Sequence, residues 1–313
     1  MTTGNFSLTR EEIQQFDRDG YLGPFTLYEP DQAKTLYAAL RGQLFQRRFA
    51  PYDAPLDSAI ANYDRHLDLD ALSAHVCRAE IVDRLVGILG PDVLCWRSEF
   101  IPKYPGAEGT DWHQADTFGH ASGEPQLVWP KDEPFGGAIN VWTAFTDVTE
   151  ANGCMLFIPG THRQMNYDES IGMQFDPQLN TNVVKDGVKR GFNGYDYRVL
   201  QKDRDWKPDE SQAIPMVMNA GQFVIFRSML MHASKPNVTA DKTRIGYVAR
   251  YVPGRVKVYP DTDFVKEFGG EYSLDRFGVV EVAGRNQQHG NRVARVNLAG
   301  TPFPVGRAEP VPS

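Results

Sequence analysis

Near residue 93 the hydrophobic pattern of the chain changes period, and that change limits the fold more than any other feature. Before it, apolar residues recur at helical intervals. Thr9 and Glu12 stand at capping-box spacing and open a helix expected to end near Gly20. Ala33, Leu36, Tyr37, Leu40, Leu44 and Phe45 return every three or four positions. Further helices are expected over Asp68–Val76 and Ala79–Leu89, the second stopped by Gly90-Pro91. After residue 93 the period is two. Val93–Lys103, Ala138–Asp147, Cys154–Ile158, Phe223–Ala233, Arg244–Val252 and Val256–Tyr259 are β-branched or aromatic runs bounded by Gly, Pro and Asp. Short strands without alternating helices argue for an antiparallel sandwich or barrel, with the leading helices packed outside it.

A chain of 313 residues with 41% hydrophobic and 23% charged residues has enough apolar matter for a sizeable core. One domain over 1–313 is expected, with a mainly helical part (1–92), a β core (93–260) and a C-terminal extension (261–313). Inside the β core, Gly160–Pro215 is long, polar and rich in Asn, Asp, Tyr and Gly. Such a stretch is either a functional lid or a solvated insertion. The net charge of −7 gives no reason to expect a nucleic-acid or membrane partner. Neither a signal pattern nor a run of eighteen apolar residues is present, so the cytosol is the expected compartment. Cys77, Cys95 and Cys154 are scattered and form no CxxC pair, against a disulfide scaffold or thiolate zinc site.

The chemistry centres on Asp111-Trp112-His113-Gln114-Ala115-Asp116. Non-haem iron enzymes with a facial triad take two ligands from H-x-D/E, because residues i and i+2 of a strand point the same way. His113 fits, but i+2 is Ala115, and Asp116 points to the opposite face unless a bulge brings it round. A missing carboxylate vacates a coordination position that a halide fills while restoring the negative charge. The alternative is a structural histidine in a metal-free sandwich. Phe226–His232 reads as one strand with Phe226, Ser228, Leu230 and His232 on one face. Arg244 and Arg250, six apart, share a face too, and one buried arginine is what a dicarboxylate co-substrate requires. Asn140 and Trp142 likewise face one way.

These residues resemble the iron- and 2-oxoglutarate-dependent halogenases of nonribosomal peptide pathways, within the phytanoyl-CoA dioxygenase-like superfamily, most of all those of syringomycin and cytotrienin biosynthesis. The resemblance runs through GYLGPF (Gly20–Phe25), ANYDRHLD (Ala61–Asp68), GTDWHQADTF (Gly109–Phe118), VWTAFTD (Val141–Asp147), NGC (Asn152–Cys154) and FIPGT (Phe157–Thr161). It continues in VVKDGV (Val183–Val188), RGF-x-GYDYR (Arg190–Arg198), WKPDE (Trp206–Glu210), LMHAS (Leu230–Ser234) and RYVP (Arg250–Pro253). It implies a mainly β fold with helical additions, a cupin-like jelly roll or double-stranded β-helix, forming a single catalytic domain. His113 and His232 would bind Fe(II), with chloride beside Ala115. Thr110, Trp142 and Arg244 would hold the far carboxylate of 2-oxoglutarate. Ala115, Phe118 and Ser228 would line the halide pocket, supported by His120, Asn140 and Arg250. Relatives carry Thr and Asn where this chain has Asn140 and His120, and both changes keep hydrogen-bonding capacity. The implied reaction uses O2 to chlorinate an aliphatic carbon of an amino acid tethered to a carrier protein by phosphopantetheine. Lys185, Lys189, Arg190, Arg198, Lys202, Arg204 and Lys207 would dock that carrier, or are an ordinary solvated face. A hydroxylase of the same superfamily is the rival reading.

Overall fold

The computed structural model describes residues 6–131, 137–181, 184–185, 188–191 and 193–305, the side chains of 180–190 excepted. Four α-helices precede the β core: α1 (Arg10–Asp19), α2 (Pro30–Gln43), α3 (Asp70–Val76) and α4 (Ala79–Leu89). The capping box forms as the sequence requires, with Thr9 Oγ1 accepting from Glu12 N–H and the Glu12 carboxylate from Thr9 N–H. Gly20 ends α1 at φ +83°, and a Cβ there would lie 2.5 Å from the His162 ring, so turn and packing both demand glycine.

The strands, in chain order, open with β1 (Tyr21–Thr26), β2 (Val93–Lys103), β3 (Gly109–His113), β4 (Leu127–Val128), β5 (Ile139–Ala144), β6 (Met155–Phe157), β7 (Val184–Lys185) and β8 (Val188–Gly191). There follow β9 (Ile214–Met216), β10 (Gln222–Arg227), β11 (His232–Ser234), β12 (Arg244–Pro253), β13 (Lys257–Val258), β14 (Phe264–Glu267), β15 (Gly270–Ser273) and β16 (Val280–Ala283). One six-stranded sheet runs β1-β10-β5-β12-β2-β16 and a second β7-β8-β3-β11-β6-β9. The pairings are antiparallel except β3–β8, which is parallel. This is the expected cupin-like jelly roll with helices on its outside.

Strand alternation then sorts the side chains. On β5 and β12, Ile139, Val141, Ile245, Tyr247 and Ala249 join the core shared with the helices. The intervening Asn140, Trp142, Arg244, Val248 and Arg250 face a cavity instead. With both faces of the first sheet covered, β2, β5 and β12 are buried almost throughout and read as near-continuous apolar runs.

Two expectations change. Residues 21–26, read as part of a helical region, form β1 at the edge of the first sheet, paired with β10. Phe223–Ala233 is two strands in two sheets. At Ser228–Met231 the chain turns, with Leu230 N–H bonded to the Arg227 carbonyl, and crosses to the second sheet. Phe226, Ser228 and His232 therefore meet at the cavity through a crossover, while Leu230 is buried in the apolar packing. Within 160–215 the described residues contribute β7, β8 and the first residues of β9 to the second sheet. No helix among the described residues is long and apolar enough to cross a membrane.

Candidate active site

β3 and β11 are neighbours, and their register sets His113 directly opposite His232. The imidazole centres stand 3.9 Å apart. In each ring Nδ1 lies 2.7 Å from a backbone carbonyl two residues back, that of Asp111 or Leu230. A carbonyl only accepts, so Nδ1 carries the proton and Nε2 the lone pair. Burial holds both rings below the usual histidine range, His232 at about 4. The two are neutral at physiological pH, oriented by second bonds as metal-binding histidines are.

Beyond His113 the chain leaves the strand and is clasped by the crossover. Ala115 N–H donates to the Ser228 carbonyl at 2.9 Å, and the Ser228 hydroxyl donates back to the Ala115 carbonyl at 2.6 Å. This holds the Ala115 methyl in the cavity wall. Asp116 is not part of that wall; its N–H donates to Glu169 and its carbonyl accepts from Trp129. Among the described residues no group of three or more His, Cys, Asp or Glu is placed to hold a metal. Two histidine donors with no third protein ligand suit an iron that takes its remaining ligands from small molecules.

The cavity, about 120 Å³, is lined by all the residues expected to hold iron, 2-oxoglutarate or chloride. At one end Arg244 is 1% exposed, and its Nε has no hydrogen-bond partner among the described residues. Burial lowers its guanidinium to about 10. Its guanidinium carbon lies 5.2 Å from the Trp142 ring centre. That indole fits only because residue 246 is glycine, since a Cβ there would come within 1.9 Å of the ring. Ser234 Oγ donates to Thr110 Oγ1 at 2.9 Å, which leaves the Thr110 hydroxyl its own proton to donate. A buried cation with no ion-pair partner among the described residues is costly, and the carboxylate of a bound co-substrate would supply one. The residues present therefore fit Fe(II) and 2-oxoglutarate.

At the other end the charges are already paired. Arg250 donates to Glu99 at 3.0 Å, and its guanidinium carbon lies 5.5 Å from the Phe118 ring centre. Asn140, paired with Arg250 in the sheet, has a buried Oδ1 with no hydrogen-bond partner among the described residues. His120 is lowered to about 4 by burial and stands 3.9 Å from Glu169.

Sequence reasoning missed the groups that brace this centre. Gln114, fully buried, donates to the Thr161, Gln164 and Met229 carbonyls and accepts from Asn166 N–H. Tyr167 donates to the Trp112 carbonyl at 2.9 Å, and Tyr197 donates to the Gln114 carbonyl while packing edge-on against His113. Tyr197 was legible within GYDYR, but not its carbonyl partner. Of the basic positions expected to dock a carrier, Arg198 pairs with Asp196 and Lys202 bonds the Met165 carbonyl, while Arg204 and Lys207 are exposed. The side chains of Lys185, Lys189 and Arg190 lie outside the described residues.

Glu169 gives a pH signature. Burial pushes its carboxyl up to about 7, against the pull of bonds from Thr117 and Asp116. The folded value lies above the unfolded value of about 4.3, so its contribution to stability is full below that pH and is lost as pH rises through about 7. Glu169→Gln is expected to raise Tm relative to wild type at pH 8 and to lose that advantage at pH 5. A difference in Tm that stays constant between the two pH values would contradict this.

A sequence model of the phytanoyl-CoA dioxygenase (PhyH) family matches residues 16–246. The chain belongs to that family. It is a non-haem iron- and 2-oxoglutarate-dependent oxygenase. Over 97% of this chain and 98% of the other, it is 41% identical to CytC3, whose solved structure with Fe(II) and alpha-ketoglutarate superposes with a TM-score of 0.76. It is also 24% identical to the ectoine dioxygenase of Bordetella parapertussis over 242 residues, 74% of this chain and 72% of that one. A phytanoyl-CoA dioxygenase domain-containing protein from Danio rerio matches 55% of the chain and 49% of its own length at 25% identity.

Proposed function

We propose that this oxygenase uses chloride as a co-substrate and chlorinates an unactivated aliphatic carbon of an amino acid carried as a thioester on a carrier protein. The observation that carries the reading is the Ala115 methyl, fixed beside His113 and His232 where an acidic side chain would complete a facial triad. The likeness to CytC3 over nearly the whole chain supports it. When bound, iron supplies the activation of O2 that makes an aliphatic C–H bond reactive.

The chain's own residues do the rest. His113 and His232 present Nε2 donors fixed by their backbone bonds. Arg244, Thr110 and Trp142 hold 2-oxoglutarate by its far carboxylate. Ala115, Phe118 and Ser228 give chloride its place; the Ser228 proton is spent on the Ala115 carbonyl, so its part there is packing. Asn140, His120 and Arg250 provide polar support around it. The braced second sheet shields the cavity from water, which protects a reactive centre from quenching. Arg198, Lys202, Arg204 and Lys207 are exposed enough to steer an acidic carrier.

Anaerobic loading with Fe(II), 2-oxoglutarate and chloride, then O2 and a panel of aminoacylated carrier proteins, tests this. Mass spectrometry is expected to show a chlorine isotope pattern on one aminoacyl group. The second reading, hydroxylation, is favoured by the ectoine dioxygenase relative. It predicts undiminished turnover without chloride, and that outcome would displace the first.

A further inference from the structure

One wall of the cavity comes from an element outside the family match, which stops at residue 246. β14 and β15 form a hairpin in which Glu267 ends β14 and Phe268 begins the turn, and Phe268 is part of the cavity wall. The tip is pinned on both sides. Glu267 pairs with Arg97 at 2.7 Å and accepts from Gln126 at 2.8 Å. Phe268 N–H donates to the Tyr195 hydroxyl at 2.6 Å. Phe268 sits at φ +50°, a conformation non-glycine residues adopt only when their surroundings fix it. Its ring meets Tyr63 edge-on at 5.7 Å and Phe175 at 6.1 Å, with Tyr195 at 5.8 Å.

We infer that Phe268 is the specificity-determining end wall of the substrate chamber, setting the largest aliphatic group that fits between it and the histidines. Electrostatics cannot discriminate much at this end, because its two arginines are already paired, Arg97 with Glu267 and Arg250 with Glu99. Selection there falls to shape. The anchors of the hairpin are a backbone N–H and the neighbouring Glu267, so truncating the Phe268 ring leaves them in place and vacates its volume.

This deepens the proposed function, and two measurements separate their fates. Xenon-pressurised crystals of Phe268→Ala are expected to gain a xenon site at the vacated ring, continuous with the cavity and absent from the wild type. A hairpin that collapses into the space, or no new site, overturns the inference. In solution, Phe268→Ala and the milder Phe268→Leu are compared with wild type on alanyl, 2-aminobutyryl, norvalyl and norleucyl carrier thioesters. Any product mass is counted, chlorinated or hydroxylated. The norleucyl-to-alanyl ratio of kcat/KM should rise at least about tenfold in the alanine variant and less in the leucine variant, with KM for 2-oxoglutarate unchanged. A uniform loss across the series, or an unchanged ratio, refutes it. Should the wild type process no thioester, the carrier-tethered reading falls, and the xenon result still decides for or against Phe268 as the end wall.

Discussion

Replacing Arg244 by methionine is expected to abolish the effect of 2-oxoglutarate on stability while making the protein without co-substrate more stable, two changes of opposite sign. The guanidinium is buried to 1% exposure, its Nε has no hydrogen-bond partner among the described residues, and the flat of Trp142 is beside it. Its backbone partner across the sheet is Lys103, whose amine is lowered to about 7 by burial and by Arg244 itself. A guanidinium buried without a carboxylate destabilises the protein that lacks co-substrate. A methionine of similar length removes that penalty, and such replacements of buried charge are often neutral or stabilising. With 2-oxoglutarate the balance reverses, because removing one partner of a buried ion pair costs about 3–5 kcal/mol. That is about two to four decades in Kd. Thermal unfolding with and without 2-oxoglutarate, in the presence of Fe(II), measures both. Wild type should gain several degrees on adding co-substrate; the variant should start higher and gain almost nothing. A variant still stabilised like wild type would show that the co-substrate carboxylate is held elsewhere.

The sequence made the strand period of the β core legible because long strands covered on both faces cannot hide their apolar runs. It made His113, His232 and Arg244 legible because each sits in a strand beside a recognisable motif. It concealed two kinds of feature. The first is the crossover at Ser228–Met231: apolar alternation continues through a turn when both sheets bury the same face, so a break between sheets leaves no trace in the period. The second is the bracing. Gln114, Tyr167 and Tyr197 act through backbone carbonyls, which every residue has, and Glu169 looks like any acid of a polar loop until folding buries it. Phe268 lies in a short hairpin that no periodicity marks, yet it lines the cavity.

Ala115→Asp is the second large effect. The backbone at 115 is fixed from both sides, by its N–H on the Ser228 carbonyl and its carbonyl under the Ser228 hydroxyl. A longer side chain at this position therefore leaves the wall in the direction the methyl now takes, toward the space beside His113 and His232. An aspartate there completes two histidines and one carboxylate, the arrangement of ordinary iron oxygenases. It occupies the place proposed for chloride and brings the negative charge with it. Iron should be retained at least as well as in wild type, and chlorinated product should fall by two orders of magnitude or more whatever the chloride concentration. Loss of product alone would not distinguish this from a misfolded variant. Iron content and 2-oxoglutarate-induced stabilisation are therefore measured on the same preparation, and both should persist because Arg244 lies at the other end of the cavity. The conservative companion, Ala115→Gly, keeps the position open and should keep chloride-dependent turnover. If the aspartate variant chlorinates as the wild type does, the halide does not sit beside residue 115, and the reading of this centre as a halogenase loses the observation on which it stands.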